Sequence, residues 1–152
     1  MPSYVERRRV PYTRQQIFDL VVDVESYPDF LPHVLAARIR AREGNTVHVD
    51  MILGFGILRR RVSSIGVLAP DRIDITSGDP PLRRFDLHWA FERLGVAETM
   101  VELRANLELR SKFWQTLLAS YFKAEVAAMV DAFERRARKL YNGGTSGRST
   151  RS

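Results

Sequence analysis

The chain of 152 residues has no cysteine. Disulfides, thiolate metal sites and cysteine nucleophiles are thereby excluded, and a reducing compartment fits. No apolar run approaches the roughly 18 residues of a membrane-spanning helix. The opening MPSYVERRRVPY lacks the apolar stretch of a secretory signal. The expected localisation is therefore cytoplasmic, with room for peripheral attachment at the inner membrane. Histidine is scarce. His33, His48 and His88 have neither ligand spacing nor clustered partners, so no zinc site is expected. Gly54-Phe55-Gly56 lacks the third glycine of a dinucleotide loop, and neither HExxH nor GxSxG occurs. Asp50, Asp86, Glu102 and Glu108 fall on predicted wet faces, which leaves no inward carboxylate pair for acid/base work.

Glycine and proline are also missing from one long stretch, residues 112–141. Within it Leu118, Phe122, Val126, Met129, Phe133, Ala137 and Leu140 recur at steps of three and four, the period of an amphipathic helix. Trp114, Leu117, Tyr121, Ala128 and Ala132 widen the stripe. At 1.5 Å rise per residue such a helix would reach about 45 Å, too long for a small domain unless something wraps it. Asn142-Gly143-Gly144 stops it. The remaining residues of 142–152 contain no apolar side chain and are expected to be a disordered polar tail, which leaves 1–141 as a single domain.

Ahead of that helix the period is mostly two. Residues 4–10 read as a charged edge strand, with Arg7, Arg8 and Arg9 on a solvated face. Thr13-Arg14-Gln15-Gln16 is a capping box opening a short helix with Ile17, Leu20, Val21 and Val24 on one side. Asp23 can cap a second turn before Tyr27-Pro28 and Leu31-Pro32. A strand over 34–41 turns at 42–45. Val47, Val49, Met51, Leu53 and Phe55 then alternate with His48, Asp50, Ile52 and Gly54. The strand over 57–68 has arginine at both parities, so its inward face is open. A short strand surrounds Ile73 and Ile75. Phe85, Leu87, Trp89 and Phe91, then Val101, Leu103, Ala105, Leu107 and Leu109, give two strands with one dry and one wet face. The predicted order is strand, two short helices, six strands, long helix.

The dry side is rich in aromatic and sulfur side chains: Phe55, Phe85, Trp89, Phe91 and Met51 from strands, and Tyr121, Phe122, Met129 and Phe133 from the helix. Composition alone does not separate a filled core from a lined cavity, and the filled core is the commoner outcome. Arg61, Ser63, Tyr121 and His88 are candidate donors to any polar ligand group. The net charge is +6, which favours anionic surfaces in general. Arg135, Arg136, Arg138 and Lys139 near the helix end complement its dipole or face an anionic membrane.

VPYTRQQIFDLVVDVESYPDFLP at 10–32, PDRIDI at 70–75, PPLRRFDLHWAF at 80–91, VELRANLEL at 101–109 and MVDAFERRARKLY at 129–141 together resemble the coenzyme Q-binding proteins. These belong to the START-like group that includes polyketide cyclases. The resemblance implies an α+β helix-grip fold, a curved antiparallel sheet wrapped around the C-terminal helix and enclosing an apolar tunnel. It implies binding of a polyprenyl quinone such as ubiquinone, or another lipid, in support of respiration and without catalysis or a further cofactor. It places Phe30, Leu31, Pro32 and Trp89 at the ligand. His33 stands where the group often has Trp, and Val34 where it often has Cys. Some bacterial relatives are ribosome-association toxins, so the ribosome is the alternative partner. A cyclase-type enzyme is a further alternative and would need inward titratable residues.

Overall fold

The computed structural model describes residues 3–55, 57–77, 82–109 and 111–142, with the side chains of Phe55, Leu58, Leu82, Arg83, Trp114, residues 117–121 and Asn142 excepted. Residues 78–81, whose sequence Gly78-Asp79-Pro80-Pro81 reads as a loop, and the tail beyond 142 lie outside the described residues.

Element order follows the alternation of periods. Strand β1 (Ser3–Val10) leads into α1 (Arg14–Val22) and a 3-10 helix (Val24–Asp29). Strands β2 (Val34–Glu43), β3 (Thr46–Phe55), β4 (Leu58–Ala69), β5 (Arg72–Ser77), β6 (Leu82–Gly95) and β7 (Glu98–Leu109) follow, then the long helix α2 (Lys112–Ala137). A π-helical turn, Arg138–Asn142, ends it. All pairings are antiparallel, and the sheet order is β1-β7-β6-β5-β4-β3-β2. The charged β1 is thus an edge strand, as its composition predicts. The sheet grips α2 on one face only. This is the predicted α+β architecture.

Local chemistry sets the ends. Thr13 Oγ1 accepts from the Gln16 amide at 3.0 Å and Gln16 Oε1 accepts from the Thr13 amide at 2.9 Å, the reciprocal capping box. Asp23 stands at the N-cap of the 3-10 helix, but its carboxylate accepts from the Ser26 hydroxyl at 2.7 Å and caps no backbone N–H. Gly44 takes φ 60° in the β2–β3 turn, where a side chain would be strained. Gln115 ties the start of α2 to β7 by accepting from the Leu109 amide at 2.6 Å and donating to the Leu107 carbonyl at 2.9 Å. At the other end Tyr141 donates to the Gln16 carbonyl at 2.8 Å and its ring lies 5.6 Å from that of Tyr12.

The inward face holds Leu87, Trp89 and Phe91 of β6 and Val101, Leu103, Ala105 and Leu107 of β7, all buried. Register resolves β4: Val62, Ser64 and Gly66 oppose Met51, Val49 and Val47, so they face inward, while Arg59, Arg61, Ser63 and Ile65 face out. From α2 come Val126, Val130, Ala132, Phe133 and Ala137. Two sequence expectations are corrected here. Val130, outside the predicted stripe, is buried, whereas Leu140, inside it, is 46% exposed because the helix widens into the π turn. Arg8 is not on a solvated face: strand alternation turns it toward α2, where Nη1 meets Asp131 at 2.7 Å and Glu134 at 3.1 Å. The Asp131 hydrogen bond leads the interactions that hold the Arg8 guanidinium firmly protonated.

Candidate functional site

The region expected to hold a ligand resolves into two aromatic groups. In the larger, Trp89 and Phe91 stack with centroids 6.1 Å apart, and Phe133 of α2 meets Trp89 edge-on at 5.1 Å. Phe133 also meets Tyr27 at 5.4 Å and Phe30 at 5.2 Å, and Phe18 of α1 closes on Phe91 at 6.2 Å. Edge-to-face contacts of this kind suit the ring quadrupoles and add to area burial. In the smaller group Phe122 lies 5.8 Å from Phe85 and 5.4 Å from Tyr4. Phe30 and Trp89, which the resemblance placed together, therefore communicate through Phe133 rather than touching.

The cavity beside Trp89 is about 20 Å³ and is lined by Val10, Ile17, Leu20, Val21, Trp89, Val101, Val130, Phe133 and Ala137, with Arg8 and Glu134 at its border. That is room for one water molecule. Its two charged groups are bound to each other. Tyr27, buried nearby, donates its hydroxyl to the Val21 carbonyl, and burial first, then Asp23, pushes its pKa up. No acid/base pair lines this space among the described residues.

A second space is open to solvent. Pro28, Asp29, Phe30, Leu31, Pro32, Val34 and Leu35 line a hollow of about 360 Å³ at the bend between the 3-10 helix and β2. Leu31 is buried, and its amide donates to the Tyr27 carbonyl at 2.8 Å. His33 fastens the bend: Nδ1 lies 3.1 Å from the Gly54 carbonyl and Nε2 3.1 Å from Glu125 of α2. Arg136 covers the Phe30 ring at 5.1 Å, a cation–π contact. Arg136 is thus part of the site and not of the solvated helix-end cluster to which the sequence assigned it. Nothing in its spacing distinguished it from its neighbours; only the rotation of α2 does.

Met51 and Met129 pack against the core from partly buried positions, and Leu53 is half-buried on β3. The side chains of Phe55 and Tyr121 lie outside the described residues. Of the candidate donors, three are corrected. Arg61 and Ser63 lie on the outer face, bonded to Asp50 at 3.1 and 2.9 Å, and His88 pairs outward with Asp74 at 2.8 Å. The fourth, Tyr121, is not described. The outer face is also less wet than predicted. Asp50 is 8% exposed and Asp86 1%, the latter held by Arg84 Nε at 2.6 Å, since long arginine stems cover short carboxylates. Among the described residues no cluster of His, Asp and Glu could hold a metal.

A family profile described as polyketide cyclase / dehydrase and lipid transport matches residues 10–134. The chain belongs to that family. Its members differ in what they are named for. The ribosome association toxin RatA of Pseudomonas aeruginosa is 28% identical over 143 residues, covering 93% of this chain and 99% of the relative. The mitochondrial coenzyme Q-binding protein COQ10 of Dictyostelium discoideum is 25% identical over 144 residues, covering 91% of this chain and 70% of the relative. Among solved structures, the TTHA0849 protein of Thermus thermophilus superposes with a TM-score of 0.79 over 93% of this chain and all of its own, at 20% identity, a likeness of fold alone. The family thus joins one sheet-and-helix frame to proteins named for a lipid, for the ribosome and for cyclisation.

Proposed function

We propose that this protein is a ribosome-associating regulator that acts by binding and carries out no catalytic step. The observation that carries the reading is the closed core beside Trp89. A space of about 20 Å³ is far below the roughly 300 Å³ at which small-molecule pockets begin. Where the described core beside Trp89 is filled by its own aromatic rings, the surface is left for recognition, and relatives of similar length are named for ribosome association. The test is sedimentation of the purified protein with ribosomal subunits across a salt series. The expected result is co-sedimentation at low salt that declines steeply as salt rises, since contacts to phosphate release counterions. Absence of co-sedimentation at every salt concentration would remove this reading.

A second reading has its own support. The open hollow of about 360 Å³ at Phe30, Leu31 and Pro32 is large enough for a quinone ring and lies one aromatic step, through Phe133, from Trp89. Burial of an isoprenoid tail would contribute about 25 cal/mol per Å². The ligand would be a polyprenyl quinone or a similar lipid, held by Met51, Leu53, Phe85, Leu87, Phe91, Phe122 and Met129 once the rings part. Mass spectrometry of organic extracts from freshly purified protein checks this. A stoichiometric quinone supports the carrier; extracts free of lipid leave the ribosome reading alone.

A further inference from the structure

Arginines cross the whole outer face of the sheet, but their counterions are unevenly distributed. Toward β5, β6, β7 and β1 the arginines have acids at hand. Arg72 pairs with Asp74 at 3.6 Å, Arg84 with Asp86 at 2.6 Å, Arg7 with Glu102 at 2.8 Å and Arg9 with Glu98 at 3.3 Å. At β2–β4 the ratio changes. Arg61 Nη2 stands 3.1 Å and Arg38 Nη2 4.0 Å from Asp50 Oδ2, and Arg40 Nε stands 3.5 Å from Asp50 Oδ1. Three cations share one carboxylate. Arg59, exposed on the same side of β4 opposite Gly54, adds a fourth.

The geometry of the group is that of a fan on a buried pivot. The Asp50 side chain is 9% exposed, while those of Arg38, Arg40 and Arg61 are 69%, 51% and 70% exposed. The carboxylate anchors the guanidinium groups from beneath, with Ser63 Oγ donating to Oδ1 at 2.9 Å. Each guanidinium has five N–H donors in a rigid fork, and the anchor uses only part of them. The remaining donors and the surplus charge face solvent. Held this way, the arginines lose less side-chain freedom on meeting an anion than loose ones would.

We propose that the Arg38–Arg40–Arg61 fan is a docking surface for the phosphate backbone of structured ribosomal RNA; the inference rests on the ribosome reading and names its contacting face. Charge complementarity carries it, because among the described ion pairs of the sheet this patch sets three arginines on a single acid, whereas elsewhere an acid meets at most two cations, as Glu102 meets Arg7 and Arg104. The half-exposed apolar neighbours on the face are Ile52, Ile65 and Val67, with Leu35 over Gly54 and Ile57 exposed at the adjoining β3–β4 turn. No Phe, Tyr or Trp ring accompanies them among the described residues, and His48 on the same face pairs with Glu43. Base stacking, the mark of single-strand readers, therefore has no platform here. Recognition is of backbone and shape, which suits double-stranded RNA. Aliphatic side chains beside arginines are also what an anionic bilayer would meet, so vesicles stand among the probes as the competing outcome.

The experiment compares the parent with the triple variant Arg38→Gln, Arg40→Gln, Arg61→Gln and with a control, Arg7→Gln, Arg9→Gln, Arg72→Gln, that removes equal charge from the paired side. The probes are purified ribosomal subunits, a short RNA duplex, and vesicles containing anionic phospholipid. Loss of about tenfold or more in affinity for subunits and duplex, with the salt slope reduced by about three, is expected of the triple variant. The control should bind as the parent does. Replacement by Lys at the same three positions should restore most of the affinity. If the triple variant folds poorly, Arg38→Gln alone, the most weakly anchored, should lower the slope by about one. Subunit binding unchanged in the triple variant overturns the docking surface and leaves ribosome association standing. A parent that ignores subunits but binds duplex through these arginines overturns the ribosome reading and supports the surface. A loss confined to vesicles overturns the surface in favour of membrane.

Discussion

At the residue scale, Trp89 and Asp50 are the most informative positions. Trp89 is 2% exposed and meets Phe91 and Phe133. Trp89→Ala should lower unfolding stability by about 3–5 kcal/mol, and Trp89→Phe by much less, as measured by urea denaturation. A cost under about 1 kcal/mol for the alanine variant would mean that the cluster is not packed as described. Fluorescence then separates core from ligand wall. In a Trp114→Phe background, a quinone lying against the Trp89 indole should quench it saturably; the closed cavity predicts no saturable quenching. Asp50 supplies a pH test. The Ser63 hydroxyl and then the Arg61 guanidinium hold its carboxyl below the usual range. A carboxyl with a depressed folded pKa contributes stability above its unfolded value of about 3.9, lost as pH falls through the folded value. Asp50→Asn should lower Tm at neutral pH, and parent and variant should converge in acid. A gap of constant size down to acid pH would show that the carboxylate's charge is not what matters there.

At the element scale, local signals were legible and rotations were not. The capping box at Thr13 and Gln16 could be read from four residues because its hydrogen bonds close within one turn. Thr13→Ala should cost about 1 kcal/mol by thermal or urea unfolding, and an unchanged midpoint would mean that α1 is held by packing alone. Strands β6 and β7 showed their buried face because they alternate cleanly. Strand β4 did not, since arginine occupies both parities; its face follows only from register against β3, as Ser63 opposite Asp50 and Val62 opposite Met51. The same limit hid Arg8 and Arg136. Each lies in a basic run, and only the direction of one strand residue, or the rotation of α2 over the sheet, turns it toward Glu134 or Phe30. The aromatic cluster around Trp89 and Phe133 was legible as a set of inward residues. Its closure was not, because whether rings interlock or part depends on packing among elements distant in sequence.

At the scale of the whole molecule, charge decides what the surface can meet. No helix among the described residues is long and apolar enough to cross a membrane. Besides the arginine fan, a second basic group is exposed, Arg135, Arg138 and Lys139 at the end of α2. Its position suits the negative end of the helix, an interaction worth a few tenths to about 1 kcal/mol at the surface. It belongs to the helix rather than to the outer face of the sheet, so it forms a separate patch. Substitution of all three by Gln leaves the fan intact and removes three charges that an anionic bilayer would feel, each worth about 1 kcal/mol near such a surface. Binding to acidic vesicles at low salt should therefore weaken in the variant, and the difference should shrink in high salt, where surface charges are screened within a few ångströms. Co-sedimentation with ribosomal subunits should be unaffected, because the fan is untouched. Equal vesicle binding by parent and variant at low salt would confine these three residues to stabilising the helix end.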